Sequence, residues 1–533
     1  MVGVETVGVD TNILIYAHDR SSVFADKSVE LLSRLRDGGR VAIASLSLLE
    51  FFAVMTDGRK IRRPLSPEEA SDIIKDFLEA DEFLILYDAE EVHKETITYA
   101  ATHRISRYRI NDVQIAKTFE HHGISTIYTV NIKDFRQFDS IKAINPFEGK
   151  KEAAPRIEKS FIPYGRQSID EQDVASVCSV LRSDWLTTGP KVGEFERAMC
   201  DYVGAAHGVA VSSGTAALHC AMYALGIGPG DEVIVPPMTF AATANCVGYQ
   251  GGTPVFADVE PDTLLIDPAE AKKKITDRTR AIIAVDYAGQ PCDYDALREI
   301  ADRQGLSLVA DGCHALGAEY RGRKVGTLAD MTVFSFHPVK HITTGEGGMV
   351  VTNRGEYAEK VRLFRNHGIT TDHRQREALG SWFYEMADLG FNYRMTDIQC
   401  ALGVSQMKKL PGFLERRREI ASRYDRAFAG LEAVAPLVCR DGVPHAYHLY
   451  VVRVAKNRDG VFKRLREKGI GVNVHYIPVH FHPFYRNRMN TGPGQCPVAE
   501  EAYQRILSLP IFPAMTDDEV DCVIGEVTAN VNS

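Results

Sequence analysis

The sequence predicts an α/β protein in which two parallel-sheet domains follow one another and a smaller α+β lobe ends the chain. Short apolar stretches of strand length alternate with helical stretches in two separate blocks, as is typical of parallel sheets covered by helices. A charged segment without apolar periodicity, EGKKEAAPRIEKS, separates the blocks and is typical of a linker. We therefore expect domains at residues 1–147, 161–410 and 411–533, with a linker at residues 148–160.

Composition restricts the class of protein. The 533 residues are 45% hydrophobic and 25% charged, which is ordinary for globular domains, and the net charge of −9 gives no overall attraction to nucleic acid. No apolar run reaches the roughly 18 residues of a membrane span, and the opening MVGVETVGVD lacks the pattern of a signal peptide. Ten scattered cysteines without a C-x-x-C pair fit reduced thiols, so we expect a cytoplasmic protein with no membrane contact.

The strands can be placed in order. In the first block an apolar stretch ends at Asp10, and VAIAS, FLILY and STIYTV follow as strands, with ADKSVELLSRLRDG as a helix between them. In the second block VAVSS, DEVIVPP, AIIAVDY, SLVADG and MTVFSF are the expected strands. From about Pro411 onward, charged helices mix with the strand-like HLYVVRV and NVHYIPV, which predicts the smaller lobe.

Several residues of the second block stand where a ligand would bind. Ser213, Gly214 and Thr215 follow a strand and open a helix, so their backbone N–H groups and the helix dipole could hold a phosphate; a plain connection is the alternative. Asp311 ends the apolar LSLVA, and a buried carboxylate needs a partner such as a cationic ring N–H unless it only caps a helix. His314, one helical turn later, could brace that carboxylate or the ligand.

Three further residues complete the set. Phe240 follows the strand DEVIVPP and could stack on a flat ring, or could simply belong to the core. Lys340 ends FSFHPVK between apolar residues and a glycine-rich turn, which favours burial over a solvated charge. A buried lysine amine has a lowered pKa and can act as nucleophile and proton carrier, and Ser335 on the same stretch could reach a phosphate.

In this order, SSGTAAL, PPMTFAATAN, VADGCHALGA, FSFHPVKHITTGEGG and GFNYRMTDIQCALG resemble the DegT-type sugar aminotransferases, a branch of the fold-type I enzymes that use pyridoxal 5′-phosphate (PLP). The resemblance covers roughly residues 160–530, and implies a large α/β domain with a small C-terminal α+β lobe. It implies Lys340 as the Schiff-base lysine and Asp311 at the pyridine nitrogen. The implied cofactor-binding residues are Ser213, Gly214, Thr215, Phe240, His314, Ser335 and Asn392.

Within that family, HPVKHITTGEGG, YAGQPCDYDAL and NVHYIPVHFHPFY are most similar to the transaminases of pseudaminic acid biosynthesis. The similarity implies a UDP-linked 4-keto-6-deoxy-N-acetylhexosamine as substrate and glutamate as amino donor, with another UDP- or dTDP-linked keto sugar as the alternative. The implied substrate-binding residues are Tyr164, Asp184, Trp185, Leu186, Thr187, His475 and Tyr476. Asn392 resembles the asparagine that reaches into the neighbouring subunit's site, so the family implies a homodimer. His341 stands where the closest members often have proline.

Four acids of the first block also stand at informative places. Asp10 ends the first strand, Glu50 lies in the helical SLLEFFAV, Asp112 opens a helix and Asp134 follows a strand. Taken singly, each is explained by a helix cap or a surface charge. Clustered carboxylates can hold Mg²⁺ or Mn²⁺, whose bound water can attack a phosphodiester.

Together, DTN, LLE, NDVQIA and TVNIKDF resemble the PIN domain, especially the VapC-type ribonucleases, over residues 4–147. The resemblance implies that the four acids form a metal-binding site for RNA cleavage, and that an antitoxin-like protein could be a partner. Arg104, Arg107 and Arg109 could contact RNA phosphates, or form a solvated charged turn.

Three hypotheses follow from the sequence. The chain is a bifunctional aminotransferase and metal-dependent ribonuclease, an aminotransferase whose PIN-like block is an inactive binding module or scaffold, or a regulatory protein that binds the cofactor without transamination. Lys340 together with Asp311 argues against the third, because binding alone does not need a lysine that carries protons.

Overall fold

The computed structural model describes residues 6–147, except 21, 23, 39, 59, 62–63, 104 and 106–108, and residues 161–531, except 372–375 and 377–379. The chain divides into two compact units, Met1–Arg156 and Ile157–Ser533. The predicted linker at residues 148–160 lies outside the described residues, as do Arg104 and Arg107. Across the described ranges no helix has the length and apolarity that a membrane span requires. All ten cysteines belong to these ranges and are free thiols.

The first unit is built around a five-stranded parallel sheet, which confirms the predicted α/β class. The strands are β1 (Val7–Val9), β2 (Val41–Ala44), β3 (Phe83–Leu86), β4 (Thr126–Tyr128) and β5 (Lys142–Ile144), in the order β3-β2-β1-β4-β5. The helices are α1 (Thr11–His18), α2 (Ala25–Gly38), α3 (Ser45–Met55), α4 (Pro67–Glu79), α5 (Glu90–Thr102), α6 (Arg109–His121) and α7 (Ile132–Phe135).

Strand β2 shows why this sheet is covered on both faces. Successive side chains of a strand point to opposite faces. Val41 and Ile43 lie in one apolar cluster, whereas Ala42 and Ala44 lie in a second one, and all four are buried. The continuous apolar run VAIA therefore reflects a central strand with a core on each side, as parallel sheets require.

A seven-stranded sheet forms the centre of the second unit, and it is mainly parallel. Its strands are β6 (His207–Val211), β7 (Glu232–Val235), β8 (Thr253–Phe256), β9 (Thr279–Val285), β10 (Ser307–Asp311), β13 (Met331–Ser335) and β14 (Gly348–Thr352), in the order β6-β14-β13-β10-β9-β7-β8. Strand β14 is antiparallel to both of its neighbours. A short hairpin, β11 (Glu319–Tyr320) and β12 (Arg323–Lys324), stands apart from this sheet.

The helices of the large domain are α8 (Glu171–Leu181), α9 (Pro190–Val203), α10 (Gly214–Leu225), α11 (Ala242–Tyr249), α12 (Pro268–Lys273), α13 (Tyr294–Gln304) and α14 (Gly355–Phe364). Then follows the long α15 (Asp397–Phe428), and the helices α16 (Arg458–Glu467), α17 (Pro483–Met489), α18 (Pro497–Arg505) and α19 (Asp517–Asn530) complete the chain. Two 3₁₀ turns lie at Tyr287–Gly289 and Val479–Phe481.

The small lobe contains the antiparallel strands β15 (Val434–Pro436), β16 (Tyr450–Val454) and β17 (Ile506–Leu509). The expected boundary at residue 411 falls inside α15, because this one helix serves two cores: Leu410 packs in the core of the large domain and Tyr424 in that of the small lobe. The prediction of a strand over NVHYIPV is wrong. Apart from a single bridge between Asn473 and Ser508, that stretch has no strand pairing and lines a cavity.

The glycine that begins β14 lets the sheet approach the turn after β6. A Cβ atom added to Gly348 would come within 2.3 Å of the Ser213 carbonyl oxygen, so no larger residue fits unless the backbone moves. This close approach fixes the Ser213 turn against the start of β14.

We expect Gly348→Ala to lower the free energy of unfolding by about 1–3 kcal/mol, because the added methyl group meets backbone atoms that cannot yield easily. Chemical denaturation of the full chain measures this loss. The matched control is Gly228→Ala, whose added Cβ would meet no atom within 4 Å. Equal stability of the two variants would contradict the prediction.

Candidate functional site

A cavity of about 550 Å³ opens where the central strands of the seven-stranded sheet end. Its walls include Val285 at the end of β9, Asp311 at the end of β10 and Ser335 at the end of β13. Ligands of α/β proteins bind at this edge of a sheet. The cavity brings together eleven of the residues proposed from the sequence: Tyr164, Ser213, Gly214, Thr215, Phe240, Asp311, His314, Ser335, Lys340, His475 and Tyr476.

The turn after β6 forms one end of the cavity. Ser213 is the N-cap of α10, and its side-chain oxygen accepts a hydrogen bond from the Ala216 backbone nitrogen at 3.0 Å. A Cβ on Gly214 would lie 2.9 Å from the Ser335 Cβ, so this glycine keeps the turn in contact with the end of β13. The positive end of a twelve-residue helix and the Ser335 hydroxyl thus face the same space, an arrangement suited to a phosphate.

Asp311 is buried in the cavity wall and is hydrogen-bonded through both carboxylate oxygens. One oxygen accepts from the Thr243 hydroxyl at 2.7 Å and the other from the Cys313 backbone nitrogen at 3.2 Å. Thr243 is in turn 2.7 Å from the Thr239 hydroxyl. Sequence reasoning missed Thr243, although its place one helical turn after Phe240 was a usable signal.

The amine of Lys340 reaches the same cavity. Burial lowers its pKa, although the nearby Cys313 and Asp311 groups favour the charged form. Its Nζ atom lies 3.4 Å from Nε2 of His448, a residue that nothing in the motif FSFHPVK indicates. A lysine whose amine is readily deprotonated can serve both as nucleophile and as proton carrier.

Three of the predicted substrate residues, Tyr164, His475 and Tyr476, line the same cavity. The Tyr476 hydroxyl lies 3.0 Å from His314 Nε2, and burial lowers the pKa of His314 well below its usual range. His475 Nδ1 lies 2.9 Å from the Ser508 hydroxyl, and burial lowers the pKa of His475 to about 4. The ring of Tyr164 lies 5.1 Å from that of His475, so these side chains form one continuous surface.

Five predicted residues do not line the cavity of the single chain. Four of them, Asp184 to Thr187, form the loop between α8 and α9, where Asp397 donates its backbone N–H to the Leu186 carbonyl at 3.0 Å. The fifth, Asn392, is exposed and follows a markedly apolar surface segment. Large side chains of that segment with more than half of their surface exposed are Trp382, Phe383, Tyr384, Met386 and Leu389.

These features can now be compared with known proteins. Residues 167–528 match the DegT/DnrJ/EryC1/StrS aminotransferase family. The chain belongs to this family. Its aminotransferase part is 43% identical over 375 residues to the spore coat polysaccharide biosynthesis protein SpsC of Bacillus subtilis, which covers 69% of this chain and 96% of SpsC.

Solved structures agree with this assignment. Helicobacter pylori PseC, described as an aminotransferase involved in the biosynthesis of pseudoaminic acid, superposes with a TM-score of 0.66 and 34% identity, over 70% of this chain and 100% of PseC. The PLP form of Spr1654 from Streptococcus pneumoniae gives a TM-score of 0.66 and 34% identity, over 70% of this chain and 98% of that chain. The second unit is therefore a sugar aminotransferase, and PLP is its cofactor.

The donor set of the cavity fits PLP. Lys340 supplies an amine with lowered pKa, and Asp311 supplies a buried carboxylate that already has two hydrogen-bond donors. The Ser213 turn offers an anion site, and the Nδ1 atom of His314 is buried with no hydrogen-bond partner among the described residues. The cavity volume of about 550 Å³ lies within the range of cofactor sites.

The first unit is a PIN domain, since residues 7–141 match that family. Its four predicted acids influence one another. Burial raises the pKa of Asp10 to about 6, and burial together with repulsion from Asp10, Asp134 and Glu50 raises the pKa of Asp112 to about 7. The described residues nevertheless include no group of three or more His, Cys, Asp or Glu side chains placed to hold a metal ion.

Neutral side chains hold two of these acids in place. Asp10 accepts hydrogen bonds from Asn12 and from Thr129, both at 2.6 Å, and from the Thr11 backbone nitrogen at 2.7 Å. Glu50 accepts from the Thr11 hydroxyl at 2.8 Å and from the Asn111 amide at 2.6 Å. Arg109, at the start of α6, is exposed, and its charge acts against the repulsion by lowering the pKa of Asp112.

Proposed function

We propose that the second unit transfers an amino group from glutamate to a nucleotide-linked 4-keto-6-deoxy sugar, with PLP as cofactor. The observation that carries this proposal is the meeting of the Lys340 amine, whose pKa is lowered, with the buried Asp311 carboxylate in one cavity. Binding of PLP alone does not require such an amine, so the arrangement supports catalysis over a purely regulatory role.

When bound, PLP supplies an aldehyde that takes up amino groups and a ring that absorbs negative charge. Lys340 Nζ would move a proton between the amino acid α-carbon and the cofactor. Asp311 would hold the proton of the pyridine nitrogen, and Thr243 orients this carboxylate through its hydroxyl. Ser335 and the amides of Gly214 and Thr215 would hold the phosphate at the start of α10.

The narrower substrate is UDP-4-keto-6-deoxy-N-acetylhexosamine, which would become the 4-amino sugar. The likeness to PseC and SpsC supports this choice. Phe240 would stack on the PLP ring and His314 would brace it, since both line the cavity. Tyr164, His475 and Tyr476, which line the same cavity, would contact the sugar. Another UDP- or dTDP-linked keto sugar is the alternative.

The purified full chain should absorb near the visible edge when PLP is bound, and should aminate one member of a panel of UDP- and dTDP-4-keto sugars with glutamate. Lys340→Ala should lose the covalently bound cofactor. Its rate of amination should fall on the order of 10³-fold or more, because the group that carries the proton is gone. Absorbance spectra and mass spectrometry of the product measure both effects.

The matched control is Lys456→Ala, which removes an exposed lysine of the small lobe and should leave spectrum and rate unchanged. Covalent cofactor retained in Lys340→Ala would contradict the proposal. A colourless protein that takes up no PLP would overturn the whole assignment.

We also propose a homodimer in which each chain completes the other's site. The apolar segment from Trp382 to Leu389 supports a contact with a second chain, because large side chains exposed side by side mark interaction surfaces. Asn392 follows this segment directly and does not line the cavity of its own chain. The loop from Asp184 to Thr187 would meet substrate at the edge of the shared site.

This arrangement predicts complementation. A mixture of Lys340→Ala and Asn392→Ala chains should recover activity in about one quarter of the sites, because half of the randomly mixed dimers contain one intact site of two. Each variant alone should be strongly impaired. The rate of the refolded mixture, measured beside each pure variant, tests this expectation. A mixture no more active than the mean of its components would exclude a site shared in this way.

The PIN domain supports a second candidate function, a ribonuclease that depends on Mg²⁺ or Mn²⁺. The repulsion that Asp10, Glu50, Asp112 and Asp134 exert favours this activity, since a divalent cation would relieve the burial and the repulsion that raise the pKa of Asp10 and Asp112. Arg109 is placed to meet an RNA phosphate, and an antitoxin-like protein is the expected inhibitor. An inactive PIN module that acts as a scaffold is the competing hypothesis.

With Mn²⁺ or Mg²⁺ the full chain should cleave single-stranded RNA, and Asp10→Asn should reduce the rate on the order of 10²-fold or more, because the metal loses a charged ligand. Fluorescent RNA substrates measure cleavage, and Asp26→Asn, at an exposed position in the first turn of α2, is the matched control. If the wild type and Asp10→Asn are equally inactive, the result favours the hypothesis that the PIN domain is a scaffold.

A further inference from the structure

Four histidines surround the Lys340 amine in the second unit. His314, His341, His448 and His475 are each buried, and each has a pKa lowered chiefly by burial. They are therefore neutral imidazoles, which can donate a hydrogen bond from one nitrogen and accept at the other. Which nitrogen carries the proton is set by the partner of the other nitrogen.

Three of these rings have a partner that fixes or satisfies them. His341 Nε2 lies 3.0 Å from the Ala446 carbonyl oxygen, which only accepts, so this nitrogen carries the proton. His475 Nε2 lies 3.3 Å from the Asn473 amide nitrogen, which only donates, so its proton sits on Nδ1 towards Ser508. His314 faces the Tyr476 hydroxyl, which can donate or accept.

His448 differs from the other three in its contact with the Lys340 amine. Its Nε2 atom lies 3.4 Å from Lys340 Nζ, and its Nδ1 atom, like that of His314, is buried without a hydrogen-bond partner in the part of the chain that the structure describes. The Lys340 amine is therefore the neighbouring group that sets the tautomer of His448. The same ring is the imidazole in hydrogen-bonding range of Nζ.

The backbone beneath His448 is firmly held. Arg417, fully buried in α15, donates to the Tyr447 carbonyl at 3.1 Å and to the Ile511 carbonyl at 2.9 Å. The ring of His448 packs against that of His314 with 4.3 Å between the ring centres. The positive charges of Lys340 and Arg417 add to burial in keeping this imidazole neutral.

Lys340 must change its protonation state if it carries a proton during transamination. An ammonium group only donates hydrogen bonds, whereas a neutral amine can also accept one. Both states keep N–H groups, so a neutral imidazole whose Nε2 atom accepts can hold the amine in either one.

We propose that His448 is a positioning residue for Lys340, and that its neutral imidazole keeps Nζ on the cavity wall in both protonation states by accepting a hydrogen bond at Nε2. This inference rests on the role of Lys340 in the proposed function. The ammonium donates from Nζ to Nε2, and the ring proton is on Nδ1. The neutral amine keeps N–H groups, so Nζ can still donate to Nε2 without any movement of the ring proton. The ring stays neutral and neither gains nor loses a proton.

The first test measures the pH at which Lys340 becomes reactive. The full chain, stripped of cofactor, is labelled with trinitrobenzenesulfonate across a pH series, and peptide mass spectrometry follows Lys340 with the exposed Lys456 as internal reference. A charge-assisted hydrogen bond is stronger than a neutral one, so His448 favours the ammonium. In His448→Leu the labelling midpoint of Lys340 should fall by about one pH unit.

Other ionisable groups also act on this amine and must stay unchanged. They are Asp311, Cys313, His314, His341 and His475. His448→Gln is the matched variant, because an amide can present either a donor or an acceptor to Nζ, and it should restore most of the midpoint. His480→Gln alters a buried histidine that does not line the cavity, and should leave the midpoint unchanged.

The second test uses the holoenzyme and the glutamate half-reaction alone. His448→Leu should slow the rate constant for the loss of PLP absorbance about tenfold to a hundredfold, with little change in the glutamate concentration for half-saturation, because a misplaced amine impairs proton transfer more than binding. An α-deuterium isotope effect on this step should grow, and His448→Gln should recover most of the rate.

Two outcomes would overturn the inference. One is an unchanged Lys340 midpoint in His448→Leu, and the other is a glutamine variant that behaves like the leucine variant, which would mean that only packing matters. Circular dichroism confirms that each variant is folded. The labelling needs neither cofactor nor sugar, so it separates this inference from the proposed function, which fails instead if the wild-type chain takes up no PLP.

Discussion

The chemistry of the second unit depends on keeping one amine and one carboxylate close together in a buried place. Lys340 and Asp311 line the cavity from different segments of the chain. Burial of either charged group would be unfavourable without the polar groups around it. Thr243 and the Cys313 backbone stabilise the carboxylate, and His448 contacts the amine. The surrounding sheet can be seen as the rigid support for these few contacts.

Much of this arrangement was predictable from the sequence, because it depends on local pattern. Strand ends in parallel sheets meet at one edge, so Asp311 and Ser335 could be placed together from apolar runs alone. The four acids of the first unit followed from short motifs in the same way. The strand expected over NVHYIPV shows the limit: its apolar alternation comes from residues that face a cavity and a core, and not from pairing with a neighbouring strand.

Other features depend on contacts between residues distant in sequence. His448 lies 108 positions after Lys340, and PHAYHLY reads as the start of a strand and contains no catalytic signature. Arg417 looks like one of many charges on a solvated helix, yet it is fully buried and bound to backbone carbonyls. Only the three-dimensional packing distinguishes these residues from their neighbours in the sequence.

The long helix α15 has a consequence for how the second unit holds together. Its first half supplies Cys400 and Leu410 to the large core, and its second half supplies Ile420 and Phe428 to the small one. Loosening either core therefore removes apolar contacts from a helix that the other core also needs. We therefore expect the two lobes to unfold together. A chain cut at residue 411 would leave each fragment with an apolar helix face exposed to water. We therefore expect that neither lobe folds on its own.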